Sequence, residues 1–287
     1  MEYIRVTSDN LESFNERIIE IKRRLDSVKA DVESANLDDA ALLEKSKDLS
    51  SNIALIRSKP ITRGTFLYRL RKVNELEEIK NIDDITEFSY NHNPDTKKIV
   101  RNRLNLSGSP IFYSSIMRST CFKELGSSPH VGNPYFFLSC WQVSDDDGIK
   151  VFPLLRSQID FLRESQYHLL YTYFNDFYKS MMEHYREDDK KYLLSAIYAH
   201  AIYNSMIEGK NVYDGIVYPS VKNINTEEYN LALTPSCVDK KLQLKYVLRG
   251  IFDDDCIFKY DKVGINKDGK IQWYRISERG SEGQVFQ

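Results

Sequence analysis

RLNLSGSPIFYSSIMRSTCFKE, residues 103–124, sets a basic residue, a phenol and a carboxylate ten and eleven positions apart: Arg103, Tyr113 and Glu124. Between the first two, Ser107-Gly108-Ser109-Pro110 reads as a turn, because Gly and Pro supply backbone angles that strands and helices avoid. Ile111-Phe112-Tyr113 is short, apolar and β-prone. Ser114 to Leu125 lacks Gly and Pro and starts a helix. Arg103 therefore stands before a turn, Tyr113 on or at the end of a strand, and Glu124 one helical segment later, so that three chemistries rim one strand end. All three residue types are common, and the same spacing also fits a solvated Arg, a core Tyr and an exposed helix Glu.

A second stretch adds to the first. Asp214-Gly215-Ile216-Val217-Tyr218-Pro219-Ser220 is a Gly-led strand ending in Tyr-Pro-Ser, and ten residues later Asn230-Leu231-Ala232-Leu233-Thr234-Pro235 opens another. With Leu67-Tyr68-Arg69, Arg103-Leu104-Asn105, Ile111-Phe112-Tyr113 and Glu124, in this order between Thr65 and Lys245, the chain resembles the RES family. These are bacterial proteins named for an Arg, a Glu and a Ser, many of them toxins encoded beside a helix-turn-helix antitoxin. Arg101-Asn102-Arg103-Leu104-Asn105 stands where the family segment looks like Gly-Gly-Arg-Trp-Asn, and Cys121-Phe122-Lys123 where small apolar residues usually precede the Glu.

The resemblance implies an ADP-ribosyltransferase-like fold, a compact pair of small sheets gripping NAD, and cleavage of the bond between nicotinamide and ribose. That bond breaks with positive charge on the ribose, so a carboxylate stabilises the transition state more than the ground state. The residue for this role is Glu124, binding a ribose hydroxyl and facing the developing charge. Arg103, and secondarily Arg69, would clamp the pyrophosphate through guanidinium contacts, in place of a phosphate loop that the sequence lacks. Tyr113 would offer a face to the nicotinamide ring. Ser220, exposed at a strand end by the preceding Pro, would hydrogen-bond nicotinamide or ribose and not act as a nucleophile. Glu124, Arg103, Tyr113 and Ser220 are thus the expected catalytic set, and Arg69, Arg103, Tyr113 and Ser220 the expected NAD-binding set, with NAD as substrate and no prosthetic group. Transfer of ADP-ribose to a protein side chain and a non-catalytic RES-like binding module are the alternatives to hydrolysis.

Composition bounds the rest. At 287 residues, 29% charged and 41% apolar, the chain has the makings of a substantial core. The formal net charge of −2 gives no electrostatic case for nucleic acid as a partner. No window is apolar enough to span a membrane, and residues 1–30 lack the pattern of a secretory signal, so a cytoplasmic protein is expected. Cys121, Cys140, Cys237 and Cys256 form no C-x-x-C pair, and His92, His130, His168, His184 and His200 match no metal spacing. No bound metal is therefore expected.

Along the chain, MEYIRV forms a short strand or docked start. Leu11, Phe14, Ile18, Ile21, Leu25, Val28 and Val32 then recur at intervals of three and four, an amphipathic helix that Asp9 and Glu12 cap. A second helix, with Leu42, Leu49, Ile53 and Ile56 on one face, ends before Pro60. Residues 1–60 read as an antiparallel hairpin, either packed on the main domain or serving as an arm for homo-oligomerisation or for an antitoxin-like regulatory protein. Residues 61–277 form the RES-like domain, and 278–287 a frayed tail. Within that domain, Gly64 to Arg71 and Tyr135 to Val143 read as strands, and Asp145-Asp146-Asp147-Gly148 as a turn rather than a cation site. One long helix from Ile159 to Met181 and another from Tyr192 to Met206 follow, with Glu187-Asp188-Asp189 between them. Their aromatic residues read as core rather than as a stacking platform. Lys241 to Ile251 is a strand, and Ile257 to Val263 pairs with Ile271 to Ile276 across Asp268-Gly269. Strands and helices without regular βαβ alternation make the fold class α+β.

Overall fold

The computed structural model describes residues 11–34, 41, 44, 59–93, 95, 98–125, 134–163, 168–182, 192–207, 209–220 and 228–276. In chain order these form α1 (Leu11–Ser34), β1 (Phe66–Val73), β2 (Phe112–Ser115), α2 (Arg118–Glu124), β3 (Tyr135–Val143) and β4 (Val151–Pro153). There follow α3 (Arg156–Arg163), α4 (His168–Met182), α5 (Leu193–Tyr203), β5 (Met206–Ile207), β6 (Lys210–Asn211) and β7 (Gly215–Pro219). The chain continues through β8 (Tyr229–Leu233), α6 (Pro235–Lys241), β9 (Leu242–Phe252), β10 (Phe258–Lys267) and β11 (Lys270–Arg275). Helices and sheet are both extensive, so the class is α+β. Two compact units share these elements. The first takes Met1–Pro60, Asn93–Ile111 and Lys150–Val221; the second takes Ile61–His92, Phe112–Ile149 and Lys222–Gln287.

The second unit is an antiparallel sheet in the order β11-β10-β9-β3-β1-β2-β8. Its central strand, β3, reads YFFLSCWQV and is buried along nearly its whole length, as a strand covered on both faces must be. Tyr68 of β1 pairs with Cys140 on one side and Ser115 on the other, so alternation assigns these residues to one face. On that face Leu138, Cys140, Tyr246, Leu248 and Val263 form a core with Cys121 of α2. The opposite face carries Phe137 and Trp141, which meet Phe88 and Phe112 at ring separations of 5.3 and 5.5 Å.

Turn chemistry sets the sheet's far end. Asp268 and Gly269 have φ of 52° and 83°, the left-handed pair that a two-residue hairpin between β10 and β11 demands. Gly250 answers a different need: a Cβ there would lie 2.2 Å from the Lys259 carbonyl oxygen, so β9 and β10 approach too closely for any side chain.

In the first unit α1 packs against α4 and α5, α3 against α4, and α5 against β7. The strands β4 and β7 pair in parallel. α5 is apolar almost all round, and from Leu193 to Tyr203 only Leu194 and His200 are not fully buried. A helix of that composition belongs in the middle of a packing arrangement. Phe174 and Phe177 of α4 are core, at 1% and 0% exposure, and Phe177 stacks on Tyr198 with centroids 5.0 Å apart.

The strands expected near Gly64–Arg71, Tyr135–Val143, Asn230–Thr234 and Lys241–Ile251 all form, as does the Asp268-Gly269 hairpin. The expected Ile159–Met181 helix is described as α3 and α4, with 164–167 outside the described residues. α6 was not anticipated. Thr234 caps it by accepting from the Cys237 amide, and Pro235 stands at its first turn, where a proline costs nothing. The opening MEYIRV, the second helix of the hairpin apart from residues 41 and 44, the segment 187–189 and the tail 278–287 also lie outside the described residues. Among those described, no helix is long and apolar enough to cross a membrane. No group of three His, Cys, Asp or Glu is placed to hold a metal ion there either.

Candidate functional site

Glu124 is the last residue of α2. Peptide dipoles make a helix C-terminus a poor place for a carboxylate, so its hydrogen-bond partners matter. Asn230, on β8, donates from Nδ2 to Glu124 Oε1 at 2.9 Å. Ser115, at the end of β2, hydrogen-bonds in turn to Asn230 Oδ1. Ser115 and Asn230 are directly opposed in the β2–β8 ladder and only 2% and 6% exposed. The neighbouring Lys123 forms an ion pair with Glu228, just ahead of β8. Two side-chain links therefore tie the end of α2 to β8 and to the residue just before it.

Tyr113 lies on β2, two residues before Ser115, so alternation places it on the face that α2 covers. Arg69 takes the opposite face, with its guanidinium over the Phe112 ring at 5.6 Å. It reaches the same strand through its Nη1, which donates to the Tyr113 carbonyl at 3.1 Å. The residue is partly exposed, but its Nε is sealed from solvent and has no acceptor. Two further buried oxygens of this unit, Ser114 Oγ on β2 and Thr120 Oγ1 on α2, also lack partners. Desolvation, and after it the like charge of Arg71, lowers the Arg69 pKa to about 10.

No carboxylate among the described residues pairs with Arg69, whereas Arg71, two positions on, has Glu87 at 2.9 Å. Buried donors are nearly always satisfied in folded proteins. The unused Nε–H of Arg69 is thus an exception among the buried donors. Cys121, close by on α2, is no candidate nucleophile, since burial pushes its thiol up to about 11.

Arg103 and Ser220 belong to the first unit, whereas Arg69, Tyr113 and Glu124 belong to the second. Arg103 sits in the turn that Asn102 and Asn105 close through paired backbone bonds. Its Nη1 donates to the Met181 carbonyl in the last turn of α4, and its guanidinium lies over the Tyr192 ring at 5.4 Å. Its own carbonyl accepts the Ser195 hydroxyl at 2.6 Å. Ser220 directly follows β7 as expected but is fully buried, at 0% exposure, and not open to solvent as the preceding proline suggested. Every residue of β7 is buried, and the strand's end is enclosed with the rest.

Asn230 and Ser115 had no assigned role in the sequence reading. A period-two count from Tyr113 points to Ser115, and Asn230 stands out as a polar residue opening the apolar run Leu231-Ala232-Leu233. Neither signal says that the two residues meet Glu124. No family model, curated protein or solved structure matches the chain, so the likeness to RES proteins rests on the motifs quoted above.

Proposed function

We propose that this protein cleaves the nicotinamide–ribose bond of NAD with water as acceptor, and that its second unit carries the acid that does so. The observation that carries this reading is the enclosed, carboxylate-free guanidinium of Arg69 with its unused Nε donor. A dinucleotide's phosphate supplies the anion that such a group lacks. The RES resemblance also assigns Arg69, secondarily to Arg103, to the pyrophosphate of NAD.

In the reaction the C1′–N bond breaks and its electron pair leaves with neutral nicotinamide. The ribose ring oxygen shares the positive charge left on C1′. Glu124 opposes that charge, a stabilisation realised only as the bond breaks. Water then adds at C1′ and releases a proton, giving ADP-ribose, nicotinamide and H⁺. Tyr113, on the face of Glu124, offers a ring edge or face to the departing base. The RES likeness extends the binding roles to Arg103 and Ser220.

Incubating the purified protein with NAD and measuring nicotinamide tests the proposal. Wild type is expected to release it, and Glu124→Gln to release it at least about 100-fold more slowly, since the charge facing the transition state is gone. Silence of both proteins at high enzyme concentration overturns the reading. Label from NAD appearing on lysate proteins instead of in free ADP-ribose replaces water with a protein acceptor.

A further inference from the structure

We infer that Asn230 is a positioning residue for the Glu124 carboxylate and that Ser115 sets the direction of its amide. The inference deepens the proposed NAD cleavage and rests on that reading for its catalytic consequence. Glu124 Oε1 accepts from Asn230 Nδ2 at 2.9 Å, and Ser115 Oγ touches Asn230 Oδ1. An ionised carboxylate only accepts hydrogen bonds, so the amide must turn its NH₂ to Glu124 and its carbonyl to Ser115. Ser115 is then obliged to donate. The proton order along Ser115, Asn230 and Glu124 is thereby determined, and each bond polarises the next.

Geometry explains why this hold matters. Glu124 ends a helix of only seven residues, and a short helix frays at its last turn. A carboxylate there samples several rotamers unless something outside the helix holds it. β8 supplies that hold with the Asn230 amide, while the Lys123–Glu228 ion pair anchors the adjacent residue to the same stretch of chain. Because Ser115 and Asn230 are cross-strand partners buried within a ladder, their positions are set by backbone pairing and not by the helix end.

Kinetics of single and double variants tests the catalytic arm. Asn230→Ala is expected to lower kcat about 30-fold or more with KM for NAD changed less than about twofold, because orientation is lost and binding is not. Ser115→Ala should lower kcat about 3- to 10-fold alone and not at all in the Asn230→Ala background, since it acts only through the amide. Additive losses, a KM rise that accounts for the change, or kcat within about twofold of wild type overturn the role.

A second measurement needs neither activity nor a substitution in the ladder. Exchange of the Asn230 side-chain amide protons is followed by ¹H–¹⁵N NMR in wild type and in Glu124→Ala. Exchange at least about tenfold faster in the variant supports the hold, as the loss of about 1.4 kcal/mol of protection corresponds to that factor. Equal exchange rates overturn it. Should wild type release no nicotinamide, the NAD reading falls and this comparison alone decides whether Asn230 holds Glu124.

Discussion

At Arg69, stability and the proposed binding of NAD pull in opposite directions. Its guanidinium is desolvated, it has one carbonyl acceptor at 3.1 Å, and its Nε has none. A buried charge so poorly compensated costs stability, and replacing such a group by an apolar one of similar length is often neutral or stabilising. Arg69→Met is therefore expected to raise the thermal midpoint by a few degrees, of the order that about 1 kcal/mol gives in a chain of this size, while raising KM for NAD at least about tenfold. Calorimetry and initial rates check the two halves independently. A variant both less stable and unchanged toward NAD would mean that Arg69 is structural. Arg103 is engaged differently, on a helix-end carbonyl and the Tyr192 ring.

At the scale of elements, small chemical choices decide where segments begin and stop. Asp84 caps the short 3₁₀ turn Ile85–Phe88, accepting from the Thr86 amide at 2.8 Å. That amide, followed by the Thr86 hydroxyl, lowers the Asp84 pKa from the usual 3.8. The turn delivers Phe88 onto Phe137 and Trp273, so the cap supports one face of the sheet. A carboxyl with a depressed folded pKa contributes stability above its unfolded value and loses it as pH falls through the folded one. Asp84→Ala should accordingly cost about 1 kcal/mol at pH 7, the usual worth of such a cap. Toward pH 2 the difference from wild type should shrink, because the carboxyl becomes protonated in the unfolded state first and then in the folded state as well. Urea midpoints at the two pH values measure this, and a pH-independent difference would refute it. Much at this scale was legible beforehand. Tyr135 to Val143 announces a doubly buried strand, and Asp268-Gly269 a hairpin, because both signals are local. α6 is not legible in the same way, because Thr234-Pro235 reads equally as the end of a strand and as the start of a helix.

At the scale of the whole molecule, the chain passes between its two units at 60/61, 92/93, 111/112, 149/150 and 221/222. Neither unit is a continuous stretch, so a cut at any single position divides at least one of them. α1 packs against α4 and α5 of its own unit, which accords with a docked N-terminal helix. Deleting residues 1–57 is therefore expected to uncover α4 and α5 and lower the denaturant midpoint measurably. An unchanged midpoint together with a reduced mass in solution would instead identify the segment as an oligomerisation arm.

Read by itself, the sequence determined the α+β class, most strand positions and the turns, because burial period, β-branching and Gly or Pro chemistry act over a few residues. It also placed Tyr113 on a strand and Glu124 on the helix that follows. Only the tertiary structure decided that Glu124 meets Asn230 across 106 residues of chain, and that Ser220 is enclosed. Such meetings depend on which strands lie side by side and in what register. That order is settled by the packing of the whole sheet, and no local pattern of residues carries it.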